Sequence, residues 1–394
     1  VDLLDVVLIV GALSFAISGY RQGFIVGLLS LVGFVGGGVL GMWLAPKVLH
    51  RMDQGLLASV LAICLVLALA TVGQMLATMM GGRAREQVTW HSARVLDAGA
   101  GAVLSTVAML VFTWFLAAAV AGSSIPWLAR QVRSSEVLHT VTKAMPGSAD
   151  SWFSEFSNLL NRSGLPQAFG PFTPEQIADV PPPDPKVLAS AAVRNSQDSI
   201  VKVLGTAQSC GKEIEGSGFV FAPQHVMTNA HVVGGVRSPT VYVRGLGSGY
   251  DARVVLFDPN RDVAVLYVPG LRAAPLRFDR DAKAGSSAVV AGFPENQAFT
   301  PVAARIRDEI AARGQDIYNQ ATVTRDVFSL YAIVRQGNSG GPLLAPSGEV
   351  YGVVFAKSLD DSTTGYALTA REVASDADTG ADATQPVNTQ SCVM

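Results

Sequence analysis

The chain has 394 residues, 49% of them hydrophobic and 15% charged, with a formal net charge of −2. That length admits two or three domains, and a typical soluble domain is charged at roughly a quarter of its positions. Without a Lys/Arg-rich run, and with slight negative charge, the sequence excludes a nucleic-acid partner.

The charge is unevenly spread: residues 1–121 carry six Lys/Arg and five Asp/Glu, whereas residues 195–394 carry seventeen and twenty. The first third suits lipid and the last half suits water. Four apolar stretches fill residues 1–121, at about Leu3–Ser18, Ile25–Leu44, Leu56–Met80 and Gly99–Ala121. A bilayer-spanning helix needs about 20 apolar residues, and four transmembrane helices are predicted, the first slightly short. The start Val-Asp-Leu-Leu-Asp lacks the basic residues of a cleaved signal peptide. Arg21 lies in the first loop and Arg83, Arg85 and Arg94 in the third, against Lys47 and Arg51 opposite. This bias places the first and third loops in the cytoplasm and both termini outside it. A lipid bilayer is therefore the expected partner of residues 1–121, and the C-terminal half is expected to be extracytoplasmic, that is, periplasmic.

Gly33, Gly37 and Gly41 recur every four residues in the second stretch, a spacing that lets membrane helices approach closely. Packing inside the bundle is expected of them. Asp97 is expected at headgroup level, and Cys64 as a small hydrophobe in its apolar run. Residues 122–194 read as an extracytoplasmic connector. Helical patches at Glu136–Met145 and Trp152–Asn161 alternate there with "MPGSAD", "SGLPQAFGPFTP" and "VPPPDP", and such proline density makes a semi-rigid spacer. Trp127, Trp152 and Phe153 suit either the membrane surface or the following domain.

From residue 195 the period changes. Short alternating or β-branched runs such as "SIVKVLG", "GSGFVFA", "PTVYVRG", "VAVLYVPG" and "VYGVVFAKS" predict an all-β sandwich or barrel over residues 195–394. "RIRDEIAARGQDIYNQ" (305–320) reads as a helix-bearing surface loop, and the tail from Ser375 as loosely ordered. Cys210 and Cys392 flank this half; they suggest a disulfide in an extracytoplasmic domain and nothing in a cytosolic one.

"RQGNSGGPLL" (335–344) sets Ser339 among three glycines. A serine hydroxyl needs a base, usually His, and the base needs a group that fixes its tautomer. His50, His91 and His139 lie in the membrane region or connector, leaving His225 and His231. His225, beside a Pro-Gln turn, is expected to be solvated; His231, ending a β-like run in "TNAHVV", is the candidate base. No histidine follows Ser339, which excludes the nucleophile elbow of α/β-hydrolases and leaves the order His, Asp, Ser of paired β-barrels. In "FDPNRDVAVLYV", Asp262 opens an alternating strand and is the candidate orienting acid, while Asp258, before Pro259, fits a turn. Neither a cofactor nor a metal is expected.

"GSGFV", "TNAHVV", "DPNRDVAVL" and "GNSGGPL", in that order over residues 199–358, resemble the chymotrypsin-like serine proteases, especially their HtrA branch. The resemblance implies a chymotrypsin-like double β-barrel. His231 would be the general base, Asp262 its orienter and Ser339 the nucleophile, with the Gly337 and Ser339 amides as oxyanion hole. Val350–Ala356 would offer a free edge to substrate backbone, with Ile333 and Phe355 hinting at an apolar or small preference. Two departures stand out: Asn338 replaces the aspartate of secreted digestive relatives, and no PDZ module of the HtrA branch is expected after the protease.

"DVVLIVGALSFAISGYRQGFIVGLLSLVGFVGGGV" resembles the colicin V production family, its Gly-Tyr-Arg-Gln-Gly loop being the best marker. The two halves together resemble the actinobacterial membrane-anchored periplasmic serine proteases linked to acid resistance. That likeness implies protein or peptide substrates in the cell envelope, action under acid or oxidative stress, and a Cys210–Cys392 disulfide; such a bridge would either hold the active-site loops in working order or serve as a purely structural staple. The competing expectation is a catalytically silent receptor that signals envelope stress through the membrane helices.

Overall fold

The structure is a computed structural model. It describes residues 2–49, 56–87, 89–121, 131–145, 168–169, 175, 177–208, 210–358 and 361–393. The chain divides into two compact units, one formed by Val1–Ala117 with Ser135–Ala144, the other by Ala118–Ser134 with Met145–Met394.

In the first unit, four helices run over Leu3–Gln22 (α1), Phe24–Leu49 (α2), Leu56–Glu86 (α3) and His91–Ala121 (α4). Each is long and apolar enough to cross a membrane, and their large side chains point mostly outward. The glycine stripe of α2 is spent inside the unit: a Cβ on Gly33 would meet the Gly73 carbonyl of α3 at 2.4 Å, and one on Gly37 the Leu69 carbonyl at 2.2 Å. Asp97 is largely buried within this unit. Its Oδ1 accepts from the Ile25 amide at 2.9 Å and its Oδ2 pairs with Arg85 Nε at 2.9 Å. Arg85 also donates to the Arg21 carbonyl at 2.6 Å, so α3 and α4 together grip the Gly-Tyr-Arg-Gln-Gly turn. The patch expected over Glu136–Met145 forms a short helix, Glu136–Ala144 (α5), tied to α4 by Trp114 Nε1 donating to Thr142 Oγ1 at 2.8 Å. Trp127, Trp152, Phe153 and the patch at 152–161 lie outside the described residues.

The second unit holds the β structure. Before it, a 3₁₀ turn (Pro185–Ala189) and a short helix (Ala191–Ser196, α6) lie against the barrels rather than spanning open solvent. Val193 and Ala168 sit in the main core, and Ser190 Oγ donates to the Pro346 carbonyl at 2.8 Å. The prolines stiffen this segment, and its apolar side chains find a surface to bury.

Strands β1 (Ile200–Ala207), β2 (Lys212–Ala222), β3 (His225–Thr228), β4 (Thr240–Val243), β5 (Tyr250–Asp251), β6 (Arg253–Asp258) and β7 (Val263–Tyr267) make one sheet, ordered β5-β4-β1-β2-β3-β7-β6. Only Ala252 separates its two outer strands in sequence, so the sheet curls until its edges meet. Strands β8 (Ser287–Val290), β9 (Val302–Gln315), β10 (Thr322–Tyr331), β11 (Pro342–Leu344), β12 (Val350–Lys357) and β13 (Thr364–Thr369) close into a barrel. Apolar residues of both packings merge into one core between them, around Phe219, Met227, Phe293, Phe355 and Tyr366.

Three expectations are corrected here. Residues 305–320 contain no helix: β9 pairs with β10 from Gln315↔Thr322 to Arg305↔Tyr331. The tail is ordered, with a helix at Ala374–Gly380 (α8) whose Ala377 enters the core. His225 is buried, its ring nitrogens each 2.8 Å from a carbonyl, those of Pro223 and Ala383, because the segment after α8 covers it.

Candidate active site

β3 ends at Thr228, and a single short turn of helix, Ala230–Val233 (α7), carries His231. The β6–β7 connection carries Asp262. The Asp258 carboxylate closes that connection by accepting from the Asn260 and Arg261 amides at 2.8 and 3.0 Å, the turn role expected of it. Asp262 adopts φ +63, which costs a non-glycine residue about 1 kcal/mol or more and must be held by its surroundings. Asn229 supplies part of that hold, its Nδ2 donating to the Asp262 carbonyl at 2.7 Å. The fully buried Asp262 carboxylate then faces His231: Oδ2 lies 2.8 Å and Oδ1 3.0 Å from Nδ1, and Oδ1 also accepts from the His231 amide at 2.9 Å. An imidazole gripped this way carries its proton on Nδ1 and leaves Nε2 free to accept.

Ser339 approaches from the closed barrel. Its loop is tied to the first sheet by Ser217 of β2, whose amide donates to the Ser339 carbonyl at 2.8 Å. The Ser217 hydroxyl donates to the Gly337 carbonyl at 2.6 Å and accepts from the Phe293 amide at 3.0 Å. Within the loop, the Asn338, Gly340 and Gly341 amides donate to the carbonyls of Arg335, Val354 and Asn338, and the Glu295 amide donates to the Gln336 carbonyl. The Gly337 and Ser339 amides donate to nothing among the described residues. Two such amides beside the bonded amides of Asn338, Gly340 and Gly341 are of the kind that can receive developing negative charge. Gly337 must be glycine: at φ +90 its Cβ would stand 2.3 Å from the Phe293 carbonyl.

The segment leading to His231 and the loop of Gly337 and Ser339 are both held to Ser217: Thr228 Oγ1 donates to the Ser217 carbonyl at 2.7 Å, beside the bonds that Ser217 makes to that loop. Ser339 Oγ is buried and makes no hydrogen bond among the described residues. The side chain of Asn338 is buried beside it, with both amide atoms unpartnered.

The expected free edge is shorter than Val350–Ala356. β11 and the Gly340–Gly341 segment occupy one side of β12 as far as Val354 and β13 the other, leaving one side of Phe355–Lys357 without a strand partner among the described residues. Ile333 is half-exposed, whereas Phe355 is fully buried. Sequence reasoning missed Ser217, Asn229 and the Phe293–Asn296 turn. "GSGFV" and "TNAHVV" held the first two in view, but their hydrogen bonds join segments far apart in the chain.

Cys210 and Cys392 are joined as a disulfide across a separation of 182 residues. Beside it, the Tyr318 hydroxyl donates to the Ser391 carbonyl at 2.9 Å, and burial, with Asp316 and Asp262 nearby, pushes the phenol up to about 12.

Comparison with known proteins agrees with this architecture. Residues 4–146 match the family description of the colicin V production protein, and residues 216–353 that of the trypsin-like peptidase domain. Serine protease Rv3671c of Mycobacterium tuberculosis (strain H37Rv) is 40% identical over 99% of this chain and 98% of its own length. The crystal structure of the Rv3671c protease in its active form, 45% identical, superposes with a TM-score of 0.54, covering 57% of this chain and 99% of that one. Protease Do-like 1 of Arabidopsis thaliana chloroplasts is 34% identical over 39% of this chain and 36% of its own length. An alignment that runs nearly end to end through both halves assigns the whole architecture, not the peptidase alone: the chain belongs to the trypsin-like serine proteases of the Rv3671c type, in which a colicin V production-like helical domain precedes the peptidase.

Proposed function

We propose that the chain is a membrane-anchored, extracytoplasmic endopeptidase that hydrolyses peptide bonds of cell-envelope proteins, with Ser339 as nucleophile, His231 as general base and Asp262 as the group that orients it. The observation that carries this reading is the gripped imidazole of His231 next to two undonated amides at Gly337 and Ser339. His231 Nε2 takes the Ser339 proton as Oγ adds to the scissile carbonyl. The oxyanion rests on the Gly337 and Ser339 amides; collapse expels the amine, which leaves with the proton from His231, and water repeats the sequence on the acyl-enzyme. Substrate backbone would run along Phe355–Lys357.

The helices supply the anchor. Residues 1–121 are the membrane domain and residues 195–394 the protease, with 122–194 linking them. The loop charges favour an extracytoplasmic protease, and a disulfide accords with an oxidising compartment. The likeness to acid-resistance proteases supports a role in acid or oxidative stress. A silent receptor has no physical need for a buried carboxylate on imidazole and a pair of empty donors, which disfavours that reading.

The test is fluorophosphonate labelling of the full-length chain in detergent. Labelling is expected in the wild type and lost in both Ser339→Ala and His231→Ala. Absent labelling of a folded wild type would favour the receptor.

A further inference from the structure

Arg325 of β10 is 2% exposed, and its guanidinium reaches out of its own barrel. Nε donates to the Asn260 carbonyl at 2.7 Å and Nη2 to the Gln315 carbonyl at 3.1 Å. Among the described residues it makes no ion pair. A buried cation satisfied by two carbonyls, with the Phe355 ring 5.9 Å from it, keeps its charge without a counter-ion in contact, which is costly unless the field is balanced through space. Burial pulls the guanidinium below its ordinary range, and four carboxylates oppose that: Asp262 most, then Asp316, Glu372 and Asp258.

Asn260 stands two residues before Asp262 in the turn that gives Asp262 its left-handed backbone. Arg325 therefore holds from the second barrel a turn that Asn229 and Asp258 hold from the first. The charged groups around the turn are Arg325, Asp258, Arg261 and Asp262, Asp316 of the β9–β10 hairpin and Glu372 and Asp376 after β13, with Arg261 paired to Asp258, Glu372 and Asp376 and the Tyr318 phenol nearby.

We infer that Arg325 is a positioning residue for the Asp262–His231 pair: from the second barrel it fixes the turn that aims the Asp262 carboxylate at the imidazole. This rests on the reading of His231 as the base. The experiment follows fluorophosphonate labelling of the full-length wild type, Arg325→Met and Arg325→Lys against probe concentration, separating the maximal rate from the half-saturating concentration, with Ser339→Ala as blank and unfolding midpoints for each. Arg325→Met is expected to lower the maximal rate about tenfold or more at an unchanged half-saturating concentration, at temperatures where the variant is folded. Arg325→Lys is expected to recover only part of that rate, since an ammonium cannot reproduce the two-carbonyl fork. A wild-type maximal rate in Arg325→Met would overturn the inference, as would a loss confined to the half-saturating concentration. Should Arg325→Met fail to fold, the lysine variant decides alone: a lowered maximal rate supports the inference, and a wild-type maximal rate overturns it. Labelling of the wild type that does not depend on Ser339 would overturn the protease reading and this inference with it.

Discussion

Gly337 carries two demands at once, a backbone at φ +90 and a free amide, while the Phe293 carbonyl stands where a side chain would begin. Gly337→Ala is expected to turn that peptide and remove one oxyanion donor. The loss of one donor costs about 10²–10³ in kcat, and the unfolding midpoint falls as well, because the new Cβ meets the Phe293 backbone at positive φ; steady-state kinetics and thermal unfolding check the two together. Ser217 acts one step back. Ser217→Ala leaves the Gly337 carbonyl and the Phe293 amide unpaired inside the protein, and each such loss costs about 1–3 kcal/mol. A lower midpoint and a lower kcat should appear together, with Ser217→Thr recovering part of both. At this scale the sequence was informative wherever chemistry is carried by a rare residue type in a fixed order. Two histidines in the β half, and none after Ser339, nearly decided the assignment. Ser217, Asn229 and Arg325 were invisible because serine, asparagine and arginine are common, and their partners lie in other strands.

Among the elements, β9 shows how local propensity misleads. "RIRDEIAARGQ" is rich in Arg, Glu and Ala, good helix formers, yet pairing with β10 and burial of Ala304, Ile306 and Ala312 inside the barrel override it. The strands that were read correctly, such as β7, are β-branched runs with little competing helical preference. Helix α8 fooled the eye the other way. "SDADTGADATQP" looks solvated, but Ala377 and Gly380 pack against the first sheet and bring Asp376 inside with them. Burial, together with Asp258 and Glu372, outweighs Arg261 and pushes the Asp376 carboxyl up to about 6. The folded pKa thus exceeds the unfolded value of 3.8, so the native state binds the proton more tightly. Its contribution is most favourable below pH 4 and is lost as pH rises through 6. Allowing for solvent and Arg261, the loss is about 1–2 kcal/mol at neutral pH. Asp376→Asn is expected to raise stability by that amount at pH 7 and to flatten the pH dependence between about 4 and 6. Urea titrations at pH 4, 5, 6 and 7 would show it, and parallel profiles for wild type and variant would refute it.

At the scale of the whole chain, the membrane half was legible because crossing a bilayer imposes length and apolarity on a helix, while the described part of the connector was not, because proline density leaves open what a segment leans on. The disulfide is where the end of the chain meets the first sheet. Cys392 lies in a small apolar cluster with Ala207 and Val236, the Gly235 amide donates to the Thr389 carbonyl, and Tyr318 at the tip of the β9–β10 hairpin holds the carbonyls of Thr389 and Ser391. The same hairpin contributes Ile317 to the core of the first sheet and the Gln315 carbonyl to Arg325. The tail, the hairpin and the Asp262 turn are therefore mechanically continuous. A crosslink closing 182 residues removes about 5 kcal/mol of chain entropy from the unfolded state. Cys392→Ser should lower the unfolding midpoint to that of the reduced wild type and become insensitive to reductant. Because the hairpin also reaches the Asp262 turn, the variant should label more slowly at Ser339 even at temperatures where it is fully folded. A lowered midpoint with an unchanged labelling rate would make the disulfide a staple for the tail alone, and would mean that the strain of losing it stops at Tyr318.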